Sequence, residues 1–230
     1  MQEKRGIDYF GHNLPFSKLH MKSALKVRRK IYEWFKTRVS GVTGKVLLDH
    51  GSTPDLSRID NNCFIRWLLE DDATVYAFSL EEINALEKVF PGLRVVSQNP
   101  GPNSWPKVDY VISSAVIEHV GSETNQIQYV KELLSISNKV LLTTPNRYHW
   151  LEFHTKIPLL HWLPRSIHRK LLEALGMKFW SKESNLRLLS EKDLYRVIDV
   201  ASNDSSLTLD WYKPRFLGFV SNLVVLISKV

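Results

Sequence analysis

Cysteine is almost missing from this chain. Of 230 residues only Cys63 is one, so neither an internal disulfide nor a thiolate metal site can form, and nothing asks for an oxidising compartment. Long apolar runs are missing too. The longest stretch, Phe216 to Ile227, is interrupted by Ser221 and Asn222 and falls short of the roughly 20 residues that a membrane-spanning helix needs. Met1 to Phe16 carries Glu3, Lys4, Arg5 and Asp8 with no apolar block, which is no secretory signal and points to a cytoplasmic protein. Glycine and proline are sparse, ten of each, and no segment repeats, which excludes collagen-like, low-complexity and solenoid architectures. No G-x-S-x-G elbow and no G-x-x-x-x-G-K-S/T loop occurs, so neither serine-hydrolase nor P-loop chemistry is indicated.

What is present suits a large core. Hydrophobic residues make up 43% of the chain, with seven Trp and ten Phe, and no linker divides it, so a single domain over residues 1–230 is the expectation. The net charge of +7 is concentrated in one place. Lys18, Lys22, Lys26, Arg28, Arg29, Lys30, Lys36 and Arg38 face a single acid, Glu33, and the other charges cancel. Met21, Leu25, Ile31, Tyr32 and Phe35 recur there at helical spacing. A basic amphipathic helix over 18–40 follows, either a solvated helix on the domain's edge or the landing place of an anionic partner.

From residue 45 onward short apolar runs alternate with helix-patterned segments. Lys45 to His50, Thr74 to Phe78, Leu93 to Gln98, Val108 to Ser114 and Lys139 to Thr144 read as strands, apolar enough to be buried on both faces of a parallel sheet. This is the pattern of a doubly wound α/β fold. Ser79 with Glu82 reads as a capping box opening a helix over Leu80 to Phe90, with Ile83, Leu86, Val89 and Phe90 as its buried stripe; Ser190 with Asp193 reads as another, opening Glu191 to Ala201. Leu207 to Tyr212 and Asn222 to Lys229 read as a terminal antiparallel hairpin. Residues 145–189, rich in Trp, His, Pro and Leu, exceed a tight connection and are expected to form a helical cap.

In such a sheet ligands bind at the carboxyl ends of the strands. After the first strand stands Asp49-His50-Gly51-Ser52-Thr53-Pro54-Asp55, and the fourth runs Val108-Asp109-Tyr110-Val111-Ile112-Ser113-Ser114-Ala115-Val116-Ile117-Glu118-His119-Val120. The first resembles the D-x-G-x-G-x-G loop, and the second the F-D-x-V-x-S-x-x-V-L-E-H-V stretch, of class I S-adenosylmethionine-dependent methyltransferases of the kind called type 11. Lys139 to Arg147, with its Thr-Thr-Pro-Asn-Arg ending, follows in the order and spacing of that family.

The resemblance covers residues 45–230. It implies a seven-stranded, mostly parallel sheet in the order 3-2-1-4-5-7-6 with S-adenosyl-L-methionine across the tips of the first four strands. Carried over by position, Asp49, His50 and Gly51 would meet the cofactor's methionine end, Ser79 or Glu81 its ribose, Asn99 its adenine, and Ser114 with Ala115 its floor. Four departures stand out: Thr53 and Asp55 replace loop glycines, Ser79 replaces the usual ribose-binding carboxylate, and Asn99 the common Asp at the adenine position. They also fit a methyltransferase-fold protein that has lost catalysis and serves as a binding or assembly subunit.

His119 is the candidate base for an acceptor oxygen or nitrogen; alternatively Glu118 and His119 simply open the next helix. The Pro-Asn-Arg, Glu-Phe-His-Thr and Leu-His-Trp-Leu-Pro runs between Pro145 and Pro164 also resemble that family, which implies Asn146, Arg147, Glu152, His154 and Trp162 as candidates for contact with the acceptor, a small molecule, glycan or lipid; equally, the aromatics of this segment read as core of the cap. His149, His154, His161 and His168 are badly spaced for a metal, with Pro158 and Pro164 between them, and no metal is expected.

Overall fold

A computed structural model describes residues 17–97, 104–203 and 206–230. The main strands are β1 (Val46–His50), β2 (Thr74–Phe78), β3 (Arg94–Val95), β4 (Tyr110–Ser114), β5 (Lys139–Pro145), β6 (Leu207–Tyr212) and, after a small hairpin of β7 (Arg215–Phe216) and β8 (Phe219–Val220), β9 (Asn222–Lys229). The sheet order is β3-β2-β1-β4-β5-β9-β6. Because β9 is the sheet's seventh strand along the chain, this is the expected 3-2-1-4-5-7-6 order. β1 pairs in parallel with β2 and β4, and β2 with β3, while β6 and β9 run antiparallel as expected.

The chain divides into two compact units. The first holds Met1–Ser113 and Ile136–Leu141. Helix α1 (Ser17–Arg38) occupies the basic segment, with Ile31, Tyr32 and Phe35 wholly buried. The Tyr32 hydroxyl donates to the Trp67 carbonyl in α2 (Cys63–Glu70) at 3.0 Å and to Asp71 at 2.8 Å. Lys36 pairs with Asp71 at 2.9 Å, Arg29 with Glu33 at 2.7 Å, and Arg28 reaches Asp60. Part of the helix's positive charge is thus used inside the unit.

The second unit holds Ser114–Ser135 and Leu142–Val230. After β4 comes a single 3-10 turn, Ile117–His119, then α4 (Glu123–Ile136). Glu118 and His119 therefore do not open α4. α7 (Glu191–Ser202) buries Leu194, Val197, Ile198 and Ala201 and begins with the expected capping box, Ser190 and Asp193 each accepting a backbone N–H from the other. No helix among the described residues is long and apolar enough to cross a membrane.

Two expectations need correction. Only Leu86–Val89 is helical (α3) in the span assigned to a longer helix. Ser79 Oγ accepts from Glu81 N at 3.1 Å and a Glu82 oxygen from Asn84 N at 3.3 Å, so each side chain closes its own two-residue turn and no capping box forms. Ile83, Leu86 and Phe90 are buried, but Val89 is 48% exposed because so short a helix carries no four-residue stripe. Residues 145–189 are only partly helical: an extended, turn-rich stretch with a Leu151–Pro158 bridge precedes the 3-10 turn Leu160–Trp162, α5 (Arg165–Ala174) and α6 (Lys178–Ser181). The two prolines keep the first half from coiling.

Candidate active site

In the first unit the polar groups gather where β1 and β2 end. His50 pairs in register with Phe78. Gly51, at φ +104°, turns the chain so that its N–H and that of Ser52 both donate to the Phe78 carbonyl, at 2.8 and 3.2 Å; this backbone conformation is open to glycine and strained for other residues. Asp49 is buried and accepts from Ser52 Oγ at 2.6 Å. Burial pushes its carboxyl up to about 6, against the opposing pull of Ser52, His50 and Arg28. The His50 ring lies against Phe78 and Trp105, with centroids 4.7 and 5.8 Å away.

The loop that departs from the glycine pattern is held by side chains instead. Thr53 N donates to Asn62 Oδ1 at 3.1 Å and Asn62 Nδ2 returns a bond to the Thr53 carbonyl at 2.8 Å. Asp55 accepts from Ser57 N and Oγ at 2.8 and 2.6 Å and from Asn61 Nδ2 at 3.1 Å. Its carboxylate is turned onto its own loop. Ser79 is buried beside the β2 tip and Glu81 is partly exposed. Asn99 lies outside the described residues.

In the second unit Ser114 Oγ shares a hydrogen bond with Thr143 Oγ1 at 3.1 Å, and Ala115, at φ +59°, donates its N–H to the Thr143 carbonyl at 2.9 Å. The turn that follows is pinned from two sides. Gln126 of α4, wholly buried, donates to the carbonyls of Ile117 and Arg187 at 2.9 and 3.1 Å, and Arg187 N donates to the Glu118 carbonyl at 2.7 Å. This fixes Glu118 and His119 in space.

His119 then meets a residue far along the chain. Its Nε2 lies 3.2 Å from Nε2 of His154, and its Nδ1 2.8 Å from the Asn185 carbonyl. His154 Nδ1 is 2.6 Å from a Glu152 oxygen. That carboxylate also accepts from His154 N at 3.0 Å, Thr155 N at 2.5 Å and Thr155 Oγ1 at 2.8 Å. Burial would raise Glu152, but the His154 ring, its hydrogen bond and the backbone N–H groups more than offset this and hold it far below the ordinary carboxylate range. Burial, and next the neighbouring His154, push His119 down to about 3. Glu118, wholly buried, accepts from Thr144 Oγ1 at 2.9 Å and stands 4.0 Å from His119 Nε2. Trp180 packs its ring on His154 at 5.1 Å and on His119 at 6.2 Å.

Of the sequence candidates, then, His119, Glu152 and His154 come together. Asn146 and Arg147 go elsewhere: Asn146 ties to Val220 and Ser221, and Arg147 donates to the carbonyls of His161 and Leu163, at 3.3 and 2.9 Å. His161 donates to the His149 carbonyl at 2.7 Å, and His149 stacks on Phe153, so the spaced histidines do not converge. Sequence reasoning left out Thr144, Trp180 and the Asn185 carbonyl, and gave Glu118 no part beyond its place beside His119. The one local hint was Glu152-x-His154, where two-residue spacing lets a carboxylate reach an imidazole.

By sequence the chain matches no family model and no curated protein. By structure it is similar to magnesium protoporphyrin IX methyltransferase of Synechocystis PCC 6803 with bound S-adenosylhomocysteine, at TM-score 0.60 and 14% identity over 96% of this chain and 91% of that one. The fold is that of the class I methyltransferases. A SAM-dependent methyltransferase of Aquifex aeolicus shares this methyltransferase fold at TM-score 0.54 and 13% identity, over 93% of each chain. So does a cyclopropane-fatty-acyl-phospholipid synthase-like protein of Lactobacillus casei, at TM-score 0.57 and 11% identity over 94% of each.

Proposed function

We propose that this chain transfers a methyl group from S-adenosylmethionine to an oxygen or nitrogen atom of an acceptor. The observation that carries the reading is the turn after β1. A buried carboxylate at Asp49, raised by its surroundings, gains most from a cationic partner such as the cofactor's ammonium group, and the turn beside it takes a backbone conformation, φ +104° at Gly51, that favours glycine. Neighbours of this fold hold S-adenosylhomocysteine or S-adenosylmethionine, which supports the same ligand here.

Ser79 and Glu81 are assigned to the ribose, Ser114 and Ala115 to the cofactor's floor. Bound there, the cofactor supplies an electrophilic methyl group on a sulfonium. The residues around His119 are assigned to the acceptor. Glu152 and Asn185 orient the two imidazoles, and Trp180 shields them from water. Transfer to a hydroxyl requires its proton to leave, and this cluster is the described polar group best placed in the second unit to deal with it. The neighbours are named for different acceptors, magnesium protoporphyrin IX in one and 1,6-didemethyltoxoflavin in another, so a small-molecule, glycan or lipid acceptor is proposed without choosing among them.

Calorimetry with S-adenosylhomocysteine tests the reading. Saturable micromolar binding, abolished by Asp49→Ala and by Gly51→Trp, is expected. Absence of binding at millimolar ligand would assign the chain to the alternative, a methyltransferase fold kept as a binding subunit.

A further inference from the structure

The two imidazoles pose a problem of charge. The Asn185 carbonyl can only accept, so His119 carries a proton on Nδ1; the Glu152 carboxylate can only accept, so His154 does likewise. In neutral rings this leaves two Nε2 acceptors 3.2 Å apart. A cation held by both would offset their repulsion. A shared proton satisfies two nitrogens, but a third donor is also at hand. Glu118 Oε1 lies 4.0 Å from His119 Nε2, and ligand atoms of Glu118, His119 and His154 all fall within 4.8 Å of one another.

We propose that Glu118, His119 and His154 form a three-ligand site for a divalent first-row transition metal, which would take the acceptor's hydroxyl as a further ligand. Two nitrogens bound to one tetrahedral ion at roughly 2.0–2.1 Å stand about 3.3 Å apart, close to the separation seen. The surroundings are those that metal ligands require: His154 is backed by a carboxylate, His119 by a backbone carbonyl and Glu118 by the Thr144 hydroxyl, which set tautomer, ring orientation and rotamer. Two imidazoles and one carboxylate suit Zn2+, Fe2+, Co2+ or Mn2+ rather than calcium. The His119 side chain, 14% exposed against 2% for His154 and none for Glu118, is the edge through which a ligand reaches the ion.

The site deepens the methyl-transfer reading and rests on it for its role. A hydroxyl bound to the ion releases its proton to water near neutral pH. The alkoxide oxygen then bonds to the methyl carbon as the carbon–sulfur bond breaks, its electron pair staying on sulfur, to give an ether and S-adenosylhomocysteine. This narrows the acceptor to a hydroxyl compound.

The metal alone is the first probe. Co2+ titrated into the metal-free full chain, without cofactor, should bind at one equivalent and give the visible absorption of a low-symmetry site. His154→Ala and Glu118→Gln should abolish that signal, and Glu152→Gln should weaken affinity about 10- to 100-fold. Zn2+ added to the unsubstituted protein should shift the Nε2 resonances of two of the eight histidines, a readout that needs no variant to fold. No Co2+ binding, binding that survives His154→Ala, or Zn2+ shifts on other histidines would overturn the site. S-adenosylhomocysteine binding, measured in parallel, separates the two claims: its loss with Co2+ binding intact removes the methyl-transfer role and keeps the metal.

Discussion

Asp49 shows at the scale of one residue how burying a carboxylate lowers stability. Its carboxyl is raised to about 6 by burial, so between the unfolded value near 4 and pH 6 the folded chain holds the proton more tightly. Stability from this group therefore falls as pH rises through that window and stays low above it. Asp49→Asn removes the charge with little change of shape. It should gain on the order of 2 kcal/mol at pH 7, less whatever the Ser52 bond loses, and almost nothing at pH 4. Urea midpoints at the two pH values check this; an equal gain at both would mean that the charge is not the cause. The same variant should lose S-adenosylhomocysteine. For the native protein, affinity should rise from pH 5 to 7 as the carboxylate becomes available to the ammonium. Asp49 and Gly51 stood out in the sequence because they keep two positions of the family loop that this segment resembles. The role of Asp55 did not, since only the folded loop shows its oxygens turned to Ser57 and Asn61.

Two sequence motifs of the same kind met different fates at the scale of the element. Ser190 and Asp193 cap α7 as the pattern says, and Asp193 is further held by Arg165 at 2.7 Å. Ser79 and Glu82 do not cap a helix. Ser79 closes onto Glu81, and Ile83, 2% exposed, is drawn into the core ahead of α3, so burial of one side chain outweighs the small gain from a cap. Ser190→Ala should lower global stability by about 1 kcal/mol, read from the denaturant midpoint, while its conservative partner Ser190→Thr should lose far less. A loss well above 2 kcal/mol would show that Ser190 supports more than the helix start. Strand positions were legible because a buried parallel strand is apolar at nearly every residue. The helical content of 145–189 was not, since its prolines and aromatics suit a packed, irregular segment as well as a helix.

At the scale of the whole molecule, ligand linkage gives the simplest check on the fold's use. S-adenosylhomocysteine at about 100 times its dissociation constant should add about 2.7 kcal/mol and raise the melting temperature by about 5 to 10 °C, and Asp49→Ala should remove the shift. A chain that melts at the same temperature with and without the compound would belong to the binding-subunit alternative.

The amino-acid sequence by itself determined the strands and the amphipathic helix, because each rests on side-chain pattern within a dozen neighbouring residues; the sheet order and the turn after β1 were implied by the resemblance of its motifs to a known family. Only the tertiary structure decided that Glu118 and His119 meet His154, some 35 positions on, and that Asn146 and Arg147 serve the backbone. Local pattern says which atoms a residue owns. Which donors they face depends on packing between distant segments, here the buried Gln126 and Arg187 that set the turn after β4, and no spacing along the chain encodes that distance.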